Sequence, residues 1–489
     1  METWGSIVHI ESILLIVLLG LNIIFAAAVV FFERKDASSS WAWLLVLNFI
    51  PVLGFVLYLL TGQNLTRYRL FQWKDRKKLG LEERIEAQLD QLQSNRTPFH
   101  NKVTEKSQDM IYMNLKQNGA LLTEDNEVEI ITDGTDKFQR LLDDIEAAQD
   151  HVHVQYYIYR GDRLGKRIRD TLIRKAKEGI KVRLLYDALG SRRVSNRFFK
   201  ELREAGGLVE VFFPSKFSLI NLRMNYRNHR KMVIIDGNLG YTGGFNVGDE
   251  YLGLNSKFGY WRDTHLRITG NAVHALQTRF LLDWNEASKQ HDTPYVPAHF
   301  PHIEGTGTIA MQIVSSGPDA ETEHIKNSYL KMINGAKHSI LIQTPYFIPD
   351  ASVFEAIRLA CLSGIDVRIM IPNKPDHAFV YWATLSYIGE LLKVGAKAFI
   401  YDNGFIHAKT LIIDSMVASV GTANIDYRSF RLNFEVNAFM YDETIATALV
   451  QTFEHDLLVS RELTMEEYNK RSIKIRFKEA ISRLLSPIL

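Results

Sequence analysis

Two apolar runs open the chain, and everything after them is patterned differently. Residues 7–32 are mostly apolar with no charge from Ile13 onward, and 41–60 carry no charge at all, with Trp41 and Trp43 at one end and Tyr58 near the other. Each matches the roughly 20 residues that a bilayer core requires of a helix. Pro51 and Gly54 are of the kind that spanning helices tolerate, and aromatic residues at the ends suit the interface. The pattern predicts a transmembrane hairpin over 1–65. No Lys or Arg precedes Ile7, and the first run is too long for a cleaved signal peptide.

A charged, Gln-rich stretch follows, with helical periodicity in LEERIEAQLDQLQ, and reads as a linker helix with a lead-in segment. From about residue 121, short β-rich runs alternate with amphipathic helices, which predicts an α/β body. The same order of elements comes twice. AQDHVHVQ at 148–155 and AKHSILIQ at 336–343 each lead from a helix end into an alternating strand, followed by the aromatic pairs Tyr156 with Tyr157 and Tyr346 with Phe347. Helical periodicity over 164–178 and 352–363 stops at Gly179 and Gly364, where a C-terminal cap is expected. GIKVRL and GIDVRI then read as buried strands, and a further helix and strand follow in each copy. The order β-α-β-α-β, given twice, predicts two similar sheets related by a pseudo-two-fold axis. The expected divisions are the hairpin 1–65, a basic juxtamembrane segment and linker helix 66–120, a first half 121–300, a second half 301–465 and an amphipathic C-terminal helix 466–489. Pro294, Pro297 and Pro301 mark the link between the halves.

Each half also carries one copy of a polar signature. NHRKMVIIDGNLGYTGGFN at 228–246 matches IHAKTLIIDSMVASVGTAN at 406–424, pairing His229 with His407, Lys231 with Lys409, Asp236 with Asp414, Gly243 with Gly421 and Asn246 with Asn424. KMVIID and KTLIID read as strands, so His and Lys, two apart, share a face. The glycines beyond let backbone approach a ligand closely. A pseudo-two-fold that joined the copies would set two imidazoles, two ammonium groups and two carboxamides around one point. That set suits a phosphodiester. Lys231, Lys409, Asn246 and Asn424 would bind the non-bridging oxygens and stabilise transition-state charge. One imidazole would attack phosphorus while the other protonates the departing alkoxide. The expected catalytic set is His229, Lys231, Asp236, His407, Lys409 and Asp414, with the aspartates bracing the motif.

Charge and cysteine content change this picture only locally. The formal net charge of the 489 residues is +2, so any electrostatic role must come from clustering. The single cysteine, Cys361, excludes an internal disulfide and a zinc–cysteine site. One basic cluster stands out: Arg67, Arg69, Lys74, Arg76, Lys77 and Lys78, interleaved with Tyr68, Phe71 and Trp73. It suits anionic headgroups, and against Arg34 and Lys35 in the inter-span loop it places the body on the cytoplasmic side. The body has no extended basic and aromatic track, so nucleic acid is not expected. At the C-terminus, Ile473, Phe477, Ala480, Ile481, Leu484, Leu485 and Leu489 fall largely on one helical face among Lys474, Arg476, Lys478 and Arg483, ahead of Pro487. Such a segment either lies in a membrane interface or packs on the body.

The duplicated His-x-Lys-x4-Asp-x6-Gly-(Gly or Thr)-x-Asn resembles the phospholipase D superfamily. MNYRNHRK, GYTGGFNVGDEYLG and YWRDTH in the first half, with GTANIDYRSF and NFEVN in the second, are similar to bacterial cardiolipin synthases. The resemblance implies two α/β/α sandwich halves sharing one active site and reacting through a phosphohistidine. Phosphatidyl transfer between two phosphatidylglycerol molecules would give cardiolipin and glycerol at the bacterial cytoplasmic membrane, with no metal or cofactor. His229 would be the nucleophile and His407 the general acid, then base. The resemblance further implies an acidic residue downstream of each motif that orients its histidine: Asp263, 34 positions after His229, and Glu435, 28 after His407. A hydrolytic phospholipase D and a membrane-tethered nuclease of the same superfamily stay open as alternatives. A catalytically silent scaffold is disfavoured by intact His, Lys and Asn in both copies. Asp249, Glu250, Tyr251, Asp426 and Arg428 are candidates for a glycerol pocket, and Tyr156, Tyr157, Tyr346 and Phe347 for core or cleft wall. His151, His153, His265 and His274 are expected to be structural.

Overall fold

The computed structural model describes residues 2–32, 37–61, 81–94, 98–214, 225–288, 290–305, 307–374 and 376–486. The chain divides into two units, Met1–Gln72 with Ser215–Tyr226, and Trp73–Pro214 with Arg227–Leu489. The smaller contains the helices Glu2–Phe32, Ala37–Phe49 and Pro51–Thr61. Val29, Trp43, Leu47 and Tyr58 are buried among them, and Phe25 stacks on Phe55 at 3.9 Å. Ile16, Ile23, Ile24, Trp41 and Phe49 instead point outward, 63% to 78% exposed.

Among the described residues no helix is long and apolar enough to cross a membrane. The two spanning helices expected from the sequence are therefore not found as such. The first run lies in the single helix Glu2–Phe32. The second is divided at Ile50, because Pro51 has no N–H and starts a new helix, leaving pieces of 13 and 11 residues. Arg34, Lys35, the basic cluster over 67–78, Met224 and Pro487 lie outside the described residues.

The larger unit contains the expected duplication. In the first half the strands run in the order Leu208–Phe212, Lys181–Asp187, His151–Tyr156, Met232–Ile235, Leu239–Gly243, Trp261–Thr269. In the second the matching order is Lys397–Tyr401, Asp366–Pro372, Ser339–Gln343, Thr410–Ile413, Val417–Gly421, Asn433–Tyr441. The first three strands of each sheet are parallel and the remainder antiparallel. Parallel strands need crossover helices, and Asp162 and Asp350 cap two of these, Arg163–Lys177 and Ala351–Leu362. Gly179 and Gly364 follow those helices at φ of +90° and +82°, the backbone that the expected caps require. Strand Thr123–Asp133 pairs with Trp261–Thr269 of the first half and with Ile309–Ser316 of the second, joining the two sheets through one strand.

Two peripheral segments are more integrated than their composition suggests. The stretch read as a linker forms the helices Leu81–Gln93, Lys102–Lys106 and Gln108–Asn118, and buries Leu92, Met110, Ile111 and Leu115 in the core of the second half. The C-terminal helix Ile473–Leu484 packs on Ala378–Leu392 with its polar side inward. Glu479 and Ser482 are buried, Arg471 pairs with Glu479 at 2.8 Å, and Lys478 lies over the Trp382 ring at 5.1 Å. Its apolar row looks out, with Ile473, Phe477 and Leu484 at 83%, 68% and 64% exposure.

Candidate active site

Each motif histidine is delivered by a two-residue strand that pairs with the other half. Arg227–Asn228 runs parallel to the start of Asn433–Tyr441, and Phe405–Ile406 parallel to the start of Trp261–Thr269. The pairing continues one residue further: His229 N donates to Phe434 O at 2.9 Å and His407 N to Arg262 O at 2.7 Å. The next residues on the partner strands are Glu435 and Asp263. Their carboxylates reach the imidazoles, His229 Nδ1 to Glu435 at 2.9 Å and His407 Nδ1 to Asp263 at 2.6 Å. The expected acids are thus both present but exchanged. Glu435 serves the first motif and Asp263 the second, because the short strands cross between sheets.

The lysines fold back on their own histidines. Lys231 Nζ donates to His229 O at 2.6 Å and Lys409 Nζ to His407 O at 2.5 Å. Burial brings Lys231 down to about 7, with Lys409 lowering it further against the pull of Glu435 and Asp263. Burial also brings Lys409 down to about 8, opposed by Asp263 and Glu435. His229 is lowered to about 4 by burial, which prevails over the upward pull of Glu435 and is aided by Lys231 and Lys409, and His407 to about 4 by burial and Lys409 against Asp263. Burial would raise Glu435, yet His229, Lys231 and the Thr422 hydroxyl hold it below the usual carboxylate range. Charges from both halves therefore act on each group, and the site at rest pairs a neutral His229 with an ionised Glu435.

The remaining motif residues divide by what they touch. Asp236 accepts from the backbone N–H groups of Gln149, Asp150 and His151 at 2.8 to 2.9 Å, and Asp414 from those of Lys337, His338 and Ser339 at 2.7 to 2.8 Å. Both lie about 16 Å along the strand from their lysines and pin the preceding helix to the sheet. They brace the motif and stand outside the reacting group. Asn246 accepts from Ile158 N at 3.0 Å, whereas Asn424 donates to Asp426 at 3.1 Å and keeps a buried Oδ1 that has no hydrogen-bond partner among the described residues. Thr422, where the first copy has Gly244, donates its hydroxyl to Glu435 at 2.5 Å. A Cβ at Gly244 would meet Asp263 at 1.9 Å, so the glycine makes room for that carboxylate.

Rings complete the walls. Tyr157 lies edge-on to His229 at 4.7 Å, and Trp261 sits 5.2 Å from His407. Tyr157 is cleft wall, Tyr346 donates its hydroxyl to Asp376, and Tyr156 and Phe347 are core. Motif reading gave no role to Thr422 and Trp261, although both lie within quoted motif segments. Asp249, Glu250 and Tyr251 bind backbone, Arg160 and Trp261 respectively. His151 and His153 share the buried Gln277, and His265 is buried under the Gly243 turn. Among the described residues no group of His, Cys, Asp and Glu is arranged to hold a metal ion.

The matched dyads, each assembled from both halves, agree with comparison to known families. A family model described as cardiolipin synthase, PLD-like domain matches residues 141–284 and 329–457. The chain belongs to the cardiolipin synthase family. A second model, phospholipase D-nuclease N-terminal, matches 20–63. The major cardiolipin synthase ClsA of Bacillus subtilis strain 168 is 68% identical over 480 residues, 98% of this chain and 100% of that protein. A cardiolipin synthase of Listeria monocytogenes serotype 4b is 58% identical over 476 residues, 97% of this chain and 99% of the other. Among solved structures, the phosphatidylserine synthase of Haemophilus influenzae Rd KW20 aligns with a TM-score of 0.60 at 15% identity, over 78% of this chain and 100% of that one, a likeness of fold.

Proposed function

We infer that the protein is a cardiolipin synthase, transferring a phosphatidyl group from one phosphatidylglycerol to another. The observation that carries this is the pair of His–carboxylate dyads exchanged between the halves, in a chain matched over nearly its full length by cardiolipin synthases. Glu435 accepts a hydrogen bond from the Nδ1–H of His229, which fixes that tautomer and leaves the Nε2 lone pair for phosphorus. In the first step the His229 Nε2–P bond forms and the P–O bond to glycerol breaks, while His407 protonates the departing oxygen. The anionic phosphodiester raises the His407 pKa on binding, which supplies that proton. In the second step His407 takes the proton of the terminal hydroxyl of the acceptor lipid, whose oxygen forms a P–O bond as the His229 Nε2–P bond breaks, and cardiolipin leaves. One phosphodiester is exchanged for another, so no nucleotide is consumed. Lys231, Lys409, Asn246 and Asn424 bind the non-bridging oxygens.

The membrane is the place where two such lipids meet. Outward apolar residues on the helices of the smaller unit and the match of 20–63 to an N-terminal family model support anchoring of 1–65 in the bacterial cytoplasmic membrane, and the Lys and Arg residues over 67–78, against Arg34 and Lys35 alone between the apolar runs, support a body on the cytoplasmic side. The outward row Ile473, Phe477 and Leu484, flanked by Lys474, Arg476 and Lys478, supports contact of the C-terminal helix with an anionic bilayer surface.

Purified full-length protein in liposomes with labelled phosphatidylglycerol, without nucleotide, tests the reading. Cardiolipin and free glycerol are expected. Phosphatidic acid as the main product would favour the hydrolase instead, and DNA cleavage without lipid turnover would overturn both.

A further inference from the structure

The dyads match, but their flanks do not. Two residues before His407 stands Phe405, 6.1 Å from the imidazole and 4.8 Å from Trp261. The equivalent position before His229 is Arg227. Three arginines beside the two motif strands are almost fully buried, Arg227, Arg230 and Arg262, at 4%, 1% and 3% exposure. Arg230 is held by Asp283 at 2.7 Å and Arg262 by Asp456 at 2.7 Å. Arg227 has no such match. Its carboxylate neighbour, Asp187, stands at 4.0 Å and already accepts from the backbone N–H groups of Leu189, Gly190 and Asn228. Among the described residues the Arg227 Nε has no hydrogen-bond partner.

A buried guanidinium with an open donor is costly, and an anionic ligand is the simplest group to complete it. Arg428 comes to the same place from the helix Tyr427–Arg431, and both arginines act on the Tyr157 hydroxyl, whose ring lies against His229. We propose that Arg227, with Arg428 beside it, binds the phosphodiester of the second, accepting phosphatidylglycerol on the His229 flank of the site. Arginine offers a planar fork of donors that fits two phosphate oxygens at once. Two residues along an extended strand span about 6.6 Å, a distance a three-carbon glycerol spacer can bridge from that phosphate to the phosphohistidine. The aromatic flank at Phe405 and Trp261 offers only the single indole N–H of Trp261, not a fork. The subsite rests on the cardiolipin synthase reading, and it explains how a lipid hydroxyl is favoured over water and free glycerol as acceptor.

Two assays on the full chain separate acceptor binding from the chemistry. Exchange of labelled free glycerol into phosphatidylglycerol uses the same covalent intermediate but an acceptor without a phosphate, whereas cardiolipin formation needs the phosphate of the second lipid. Arg227→Gln is expected to slow cardiolipin formation about ten- to hundred-fold while glycerol exchange changes by less than about three-fold. Arg227→Lys is expected to recover part of the loss, and Arg428→Gln to show the same selectivity, which assigns Arg428 to the acceptor phosphate in place of the glycerol pocket expected from the sequence. Parallel loss of both reactions in a variant that melts like the parent would overturn the subsite, as would no change in either. If Arg227→Gln does not fold, Arg428→Gln decides by the same ratio. Failure of the cardiolipin synthase reading has a different signature: the unaltered protein would then make phosphatidic acid.

Discussion

Glu435 and His229 are 206 positions apart in the chain, yet their side chains meet at 2.9 Å. Asp263 and His407 repeat the relationship across 144 positions at 2.6 Å. Neither half owns a complete dyad.

Glu435→Gln is therefore expected to disable His229, not His407. The amide cannot hold the Nδ1–H tautomer, and turnover should fall about 10²- to 10⁴-fold. Combining it with His229→Ala should cost little beyond His229→Ala alone, since both changes strike one dyad. Additive losses in cardiolipin formation would contradict the exchange.

The pH profile of kcat/KM should be limited on the alkaline side by the lysines. Burial brings Lys231 to about 7 and Lys409 to about 8, so the phosphate-binding charge is lost as pH rises through that range. Lys231→Arg keeps its charge and should move the alkaline limb upward, at reduced overall rate. A profile flat to pH 9.5 would contradict this.

Stability should respond to acid through the same imidazoles. His229 and His407 stay neutral in the folded chain down to about 4, whereas unfolded histidine titrates near 6.5. Between those values the unfolded chain binds more protons, so stability is lost as pH falls from about 6.5 to 4, by up to about 1.4 kcal/mol per pH unit for each site. Replacing both histidines by alanine should flatten that slope in denaturant titrations at successive pH values.

Asp236→Asn and Asp414→Asn should act on stability before chemistry. Each removes a charged acceptor from three backbone donors, which costs about 2 to 4 kcal/mol. Melting temperature should drop while kcat at low temperature stays within about three-fold. Collapse of kcat with an unchanged melting temperature would place these carboxylates in the reaction.

Phe477→Glu with Leu484→Glu alters only outward positions and should leave the melting temperature unchanged. Turnover should fall several-fold on anionic liposomes but hold in detergent micelles. Equal rates in both would remove the C-terminal helix from the membrane contact.

The sequence by itself determined the duplication, the parallel strands with their glycine-ended helices, and the paired motif histidines and lysines. Those features are local: periodicity reports which side of a strand or helix is buried, and spacing reports that two copies are alike. It could not assign the acids to their histidines, because that depends on Arg227–Asn228 and Phe405–Ile406 pairing across the halves, and no periodicity records which strands adjoin. The C-terminal helix shows the same limit. Its amphipathic pattern is plain in the sequence, but it docks by the polar side, since Arg471 pairs with the buried Glu479 and Tyr468 donates to it, leaving the apolar row outward. Nor could pattern alone weigh Pro51, whose missing N–H divides the second apolar run into two short helices. Tertiary structure decided where buried charges find their partners, and Arg227 is notable as the buried arginine beside the motif whose match is incomplete. A buried charge is paid for only by groups that fold brings within reach, and these come from distant parts of the chain.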